Sequence, residues 1–334
     1  KPYTGPTYDN FAKFFHPGTF LLNSVSVAQN ADKTNFFASF TNHRTSGVLR
    51  THEGYERNTL RANLDHTLRD NLELSLTFAH VRAHNVDIVG SPFFDLLQFP
   101  PDVDLGAKGP DGEYIPYPDS TIATSNPIWR QTANEDYTDR METLARGVLR
   151  FRPASWLRLE ADVGYDRNDT NSQMYTPRGT PTGPTGESTG SIRRDALSSD
   201  ALNVAASASA MHRFGDQLTA RVTLRGLMER QKSVGFNAQG RNLFVTGVPR
   251  IGIGQDRPTV NSQQTEIRSS GYFVQAGLDY QGKYIGDFLF RRDGSSLFGP
   301  GNRWNNYYRA AVAYRLTEEP WWPLEAFDEF KLRA

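Results

Sequence analysis

"RNTLRANLDHTLRDNLELSLTFAHVR", residues 57–82, reads as two strands around a polar turn. Leu60, Ala62, Leu64 and Leu68 alternate with Arg61, Asn63 and Asp65; beyond Asp70 and Asn71, Leu72, Leu74, Leu76 and Phe78 alternate with Glu73, Ser75 and Thr77. A period of two puts successive side chains on opposite faces of a strand. The stretch therefore predicts a hairpin with one apolar and one polar face.

The same unit recurs along the chain. Around a turn at Pro153 to Ser155, Ala145, Gly147, Leu149 and Phe151 are answered by Leu157, Leu159, Ala161, Val163 and Tyr165, with Arg146, Arg150, Arg158, Glu160 and Asp162 on the other face. Around Gly215-Asp216, Leu218, Ala220, Val222 and Leu224 oppose Thr219, Arg221, Thr223 and Arg225. Around Gly282-Lys283, Val274, Ala276, Leu278 and Tyr280 precede Tyr284, Phe288 and Phe290. A weaker hairpin turns near Asp32.

The turns inside these hairpins are short, whereas the links between them run over 85–138, 168–197 and 232–265 and carry much of the Pro and Gly. Short turns at one end and long loops at the other describe an antiparallel transmembrane β-barrel. A large soluble β-sandwich or solenoid also alternates; the asymmetry of the turns favours the barrel. Aromatic residues at strand ends, Trp156, Tyr165, Tyr280, Tyr284, Trp304, Tyr307 and Tyr308, suit an interfacial girdle.

Composition agrees with an all-β wall in which one residue in two is apolar. Only 37% of the 334 residues are hydrophobic, and mean hydropathy is −0.58. Lys+Arg and Asp+Glu are equal at 37 each, so no net field favours nucleic acid. There is no cysteine, which excludes disulfides, thiolate metal sites and a Cys nucleophile. No run of apolar residues is long enough for a transmembrane helix.

No enzyme is expected: the sequence carries no nucleophile elbow, zinc-protease helix or P-loop, no catalytic residue is assigned, and no cofactor or metal site is expected. Glu160 and Asp162 read as part of a charge ladder facing the lumen, and His66 and His80 as packing near hairpin ends. Long loops on a rigid scaffold are where a ligand is read. Trp129, Tyr114, Tyr117, Asn126 and Asn134 of link 85–138 are the candidate substrate-binding residues, pairing aromatic platforms with amides.

A second stretch carries a family resemblance. "GKYIGDFLFRRDGSSLFGPGNRW", followed by "AVAYRLTEEPWW" and "FDEFKLRA", closely resembles the signature region of TonB-dependent outer-membrane transporters of the SusC/RagA type. The signature falls on Arg291, Arg292, Asp293, Gly294, Ser295, Ser296, Phe298, Gly299, Asn302, Arg303 and Trp304, with Phe330 where the family has leucine. Upstream, "DNFAKFFHPGTFLLNSVSVAQNADKTNFFASF" and "NPIWRQTANEDYTDRMETLARGVLRF" resemble the family's entry into the barrel and the next loop and hairpin, although "QNADK" stands where it has a Gly-Gly turn.

The resemblance implies that residues 1–334 are one part of a receptor barrel, roughly half of 22 strands, with the plug domain and the last strands outside this stretch. It implies the outer membrane of a Gram-negative bacterium, import of an oligosaccharide or peptide, energy from the TonB-ExbB-ExbD complex acting through the plug, and a SusD-like surface lipoprotein as partner, beside outer-membrane lipid. The signature is expected to be structural, with Asp293 to Ser296 making the turn and Arg303 and Trp304 re-entering at the interface. The alternative is a surface adhesin or ligand-binding β-protein without transport.

Overall fold

The computed structural model describes residues 4–183, 185–323 and 328–334. In chain order its elements are α1 (Asn10–Phe14), β1 (Phe20–Ala31), β2 (Thr34–Thr45), β3 (Tyr55–Arg69), β4 (Leu72–Val86), α2 (Pro92–Leu96), α3 (Pro127–Ala133), β5 (Tyr137–Ala154), β6 (Leu157–Thr176), β7 (Ser191–Phe214), β8 (Leu218–Arg241), β9 (Thr259–Tyr280), β10 (Tyr284–Ser295), β11 (Trp304–Arg315) and β12 (Lys331–Arg333). The strands form one 12-stranded sheet in sequence order, each pair antiparallel. Among the described residues no helix is long and apolar enough to cross a membrane.

The register carries the apolar alternation from strand to strand without a break. One row runs Leu72, Phe151, Leu159, Ala208, Leu224, Val274, Phe290 and Tyr308, from β4 to β11. These side chains have no protein above them: Leu224 on the same face is 50% exposed and Val312 62%. In water each such leucine forfeits about 1.5–3 kcal/mol of burial, so an exposed band of this extent marks a face made for lipid.

Rungs of the sheet are not parallel to that band. The rung from Phe78 passes through Ala145, Tyr165 and Leu202, then reaches Arg230 and Arg268. Strands tilted against a barrel axis produce this climb, because a rung perpendicular to the strands crosses the membrane obliquely.

Strand length departs from the sequence-based expectation. β7 and β8 have 24 residues each, against the roughly 9–11 that a tilted strand needs to span hydrocarbon. The ladder continues far past the apolar band on the long-link side, so links expected at 168–197 and 232–265 contract to 177–190 and 242–258, while the link expected at 85–138 becomes 87–136. Beyond the membrane no face has to stay apolar along its whole length, so strict alternation stops while the backbone ladder persists.

Two turns also move. The turn between β5 and β6 falls on Ser155 and Trp156, after a register irregularity between Phe151 and Ala154. Asp293 and Gly294 are still paired in β10, opposite Asn305 and Trp304, and the connection is 296–303. Gly294 has a specific reason to be glycine, since a Cβ there would lie 2.8 Å from the Trp304 ring. At Gly54, with φ of +85°, a Cβ would lie 1.9 Å from the Thr45 carbonyl, and the β2–β3 link closes only with glycine.

Candidate functional site: the polar wall and the module above it

The face opposite the lipid band is a charged wall. Arg146 pairs with Asp162 (2.5 Å), Arg150 with Glu160 (3.2 Å) and Arg309 with Asp287 (2.6 Å), each across neighbouring strands. The expected ladder is present, but Arg146 and Arg150, rather than Arg158, hold the two carboxylates. Arg158, Arg221, Ser209, Thr223 and Gln275 line a hollow of about 1060 Å³ on this wall near the short turns. His66 and His80 close hydrogen bonds to Thr34 (2.8 Å) and Thr143 (2.9 Å), which leaves them cross-strand partners at the margin of the band. Among the described residues no group of three or more His, Asp or Glu could hold a metal ion.

At the long-link end the chain builds an ordinary hydrophobic core. Phe14, Leu49, Leu96, Phe99, Leu105 and Ile128 are buried together, with Tyr114 and Ile122 packed against them. This module joins α1 to link 87–136. Asp9 caps α1 through the Ala12 N–H (2.9 Å), Asn10 donates to the Val103 carbonyl (2.8 Å), and Lys13 pairs with Asp104. Burial pushes the Asp104 carboxyl up, but hydrogen bonds from Lys13 and the Gly106 N–H outweigh it and hold the group below its ordinary value. Asp95 and Arg130, both largely buried, tie α2 to α3 at 2.6 Å.

The five loop candidates occupy different depths of this module. Asn126 is fully buried: its amide donates to the carbonyls of Leu105 (2.8 Å) and Ile115 (3.0 Å), and its oxygen caps α3 at the Ile128 N–H (3.0 Å). Trp129 is buried beside it on α3. Asn134, half-buried, donates to the Arg130 carbonyl (3.3 Å). Tyr114 and Tyr117 are half-buried, and the Lys108 ammonium sits 4.9 Å over the Tyr114 ring. The structure thus gathers the five in one module, with the two tyrosines nearer its surface.

A second small core lies over the tops of β6 and β7. Tyr175, Ile192 and Leu243 are buried with Ile251 and Ile253 against them, and the Tyr175 hydroxyl accepts from the Gly247 N–H (2.9 Å). Asp136 ties link 87–136 to this core: its carbonyl accepts the Asp87 N–H (2.8 Å) and its carboxylate the Tyr175 N–H (3.0 Å). Burial pushes the Asp136 carboxyl up, the neighbouring Asp87 adds to the rise, and the Tyr175 bond only partly offsets them. Sequence reasoning missed both cores, because their members come from links that show no alternation.

The signature run closes the β9–β11 wall. Arg291 pairs with Asp293 (2.6 Å) on the polar face. Ser296 exchanges two hydrogen bonds with the Arg268 backbone (2.9 Å each), the Ser295 N–H donates to the Arg303 carbonyl (3.1 Å), the Asn302 N–H to that of Gly299 (3.0 Å), and the Arg303 Nε to that of Phe298 (3.3 Å). On the lipid side Trp304 lies across Gly294, stacks on Tyr272 at 6.0 Å and carries the Arg292 guanidinium 5.3 Å from its ring. Tyr308 follows on that side, whereas Tyr307 pairs with Arg291 on the polar face and is not part of a lipid-side girdle. At the short-turn end Tyr280, Tyr284 and Tyr314 share one rung. Glu319 accepts from Lys283 (3.2 Å) and from the hydroxyls of Tyr284 and Tyr314 (3.1 Å each); burial raises its pKa, but these bonds win and keep it low.

An apolar outer band, a polar inner wall, short turns below and folded links above define a membrane-spanning β-barrel wall. Comparison with known proteins places it further. No family model matches the chain. Over all of its length the chain is 24% identical to a TonB-dependent receptor of Formosa agariphila, and a second such receptor from that organism is 32% identical over 23% of the chain. The chain covers 34% and 7% of those two proteins, and so spans at most about a third of the curated relatives it matches. In fold it matches 37% of a chain of the RagAB peptide importer, with 98% of its own residues, a TM-score of 0.75 and 16% identity. Against the ferric citrate transporter FecA the figures are 40%, 90%, 0.51 and 12%. In fold the chain is a wall of the barrel seen in TonB-dependent receptors, and in sequence it is similar to the two receptors of Formosa agariphila. Its signature run, residues 291–304, resembles that of the SusC/RagA type.

Proposed function

We propose that the chain forms part of a Gram-negative outer-membrane barrel that imports a large nutrient, an oligosaccharide or a peptide. The observation that carries this reading is the unbroken register of apolar side chains on one face of the sheet with arginine-carboxylate pairs on the other. Such a wall separates lipid from a wet interior. A wet interior wide enough for large solutes needs gating, which in this reading the plug and the TonB-ExbB-ExbD complex supply from outside this stretch.

The SusD-like lipoprotein partner belongs to the same proposal and is supported by the RagAB likeness. Tyr114 and Tyr117, rather than the buried Asn126 and Trp129, are the side chains of the module best placed to meet a solute or that lid. Asn134 stays in the proposal as the amide nearest the exit of α3. Uptake of fluorescently labelled oligosaccharides and oligopeptides by cells carrying the full-length receptor tests it. The expected result is uptake that disappears when TonB is deleted. Uptake unchanged without TonB, or none in the wild type with either substrate class, would overturn the reading.

A further inference from the structure

The lipid-facing surface is not smooth. On β5 to β10 it carries a groove of about 700 Å³, floored by Ala161, Ala206 and Gly226 and walled by Leu159, Leu224 and Tyr272. Directly toward the long-link side stand three arginines on adjacent strands: Arg230, Arg268 and Arg292. Arg292 shares a rung with Gly226 and Tyr272 of the groove. Arg230 and Arg268 are direct cross-strand partners, an arrangement that repels unless an anion sits between or beside them.

Their charge is only partly met within the protein. Arg230 has Asp200 (2.8 Å) and Arg268 has Glu266 (2.6 Å), while Arg292 has the Trp304 ring and no carboxylate among the described residues. Lys232, on the next outer rung with Asp200 and Glu266, adds another cation. The Arg230 Nε is buried without a hydrogen-bond partner.

Resting on the outer-membrane barrel reading above, we propose that this surface holds one phosphate-bearing acyl lipid of the outer leaflet. An acyl chain lies in the groove, and the headgroup lies over Met228 and Ser270, beside the Trp304 ring that covers Gly294, with Arg292 below it and Arg230 and Arg268 above. Four residues separate these levels along a strand, about 13 Å at the usual rise, and long arginine side chains can close that span on a phosphate from both sides. The occupant is a lipid because this face is the membrane face. It bears phosphate because the cations above the groove exceed their carboxylates.

Native mass spectrometry of the full-length receptor, released from detergent micelles with added dioleoyl phosphatidic acid or dioleoyl phosphatidylcholine, tests the site. Wild type should retain phosphatidic acid about tenfold better than phosphatidylcholine, and R230Q/R268Q/R292Q should lower it to the phosphatidylcholine level. Ala206→Phe, which fills the groove from the lipid side, should lower retention of both. Excess inorganic phosphate should leave phosphatidic acid bound. Equal retention of the two lipids by wild type, wild-type retention by the triple variant, or displacement by inorganic phosphate would overturn the proposal. The heat-dependent electrophoretic shift of the same samples reports barrel integrity: its loss in wild type would sink the barrel reading, whereas lipid indifference with the shift intact sinks only the lipid site.

Discussion

The membrane band and the loop module place the same residue types in opposite ways. In the band, Leu224, Val274 and Phe288 point away from the protein and are exposed; in the module, Phe14, Leu105 and Ile128 are sealed from solvent. The band needs no partner side chains, because lipid replaces water on its surface. The module stands in water and has to build a packed core with capped helices and paired charges. One chain therefore follows two hydrophobic rules, separated by the height at which the strands leave the bilayer.

The comparison can be broken most severely from inside the module. Leu105→Ala opens a cavity at a fully buried position and should cost about 2–5 kcal/mol. The expected outcome in the full-length receptor is fast hydrogen exchange throughout 87–136 with the strand amides of the band still protected. Exchange spreading into β7 and β8 would show that the two regions fold as one unit.

Next in size is a charge on the outer face at two heights. Leu224→Arg lies in the band and should cost up to about 2–4 kcal/mol in bilayer unfolding measurements. Val234→Arg, on the same face of the same strand above the band, should stay within about 0.5 kcal/mol. Equal costs would mean that the band has been drawn too low.

A smaller effect is expected at Asn126, where Asn126→Ala removes the α3 cap and two carbonyl contacts. About 1–2 kcal/mol is expected from the cap alone, read as increased proteolysis near 105–130 without change in the band. The smallest effect is a pH dependence. Because the Asp104 pKa is depressed in the folded module, the stability it contributes is present above the ordinary aspartate value and lost as pH falls through the lower, folded one. Pepsin cleavage of the module should therefore rise as pH falls below the ordinary aspartate value in wild type and rise less in Asp104→Asn.

Legibility followed the same division. The hairpins were readable because each strand in the band keeps strict alternation, as at Leu60 to Phe78. Residues such as "NDTNSQMYT" in β6 and "QKSVGFNAQGR" in β8 read as loop because no alternating apolar row runs through them, yet they are strand. The charge ladder at Glu160 and Asp162 was visible in sequence, but its arginine partners were not, because register chooses Arg150 and Arg146 from the neighbouring strand. Among the loop candidates, composition picked out the module, but depth within it separates Asn126 from Tyr114.

By itself the sequence determined that this protein is a β wall with one apolar and one polar face, since period-two alternation separates the two, and its short turns and long links favoured a membrane barrel over a sandwich. Its signature run also determined the class of barrel to which it is similar. Only the tertiary structure decided how far the strands rise above the membrane, which links fold into cores, and which arginines meet at the groove. Those outcomes depend on contacts between residues distant in the chain, such as Asn10 with Val103 or Arg230 with Arg268, and no local pattern encodes the register that brings them together.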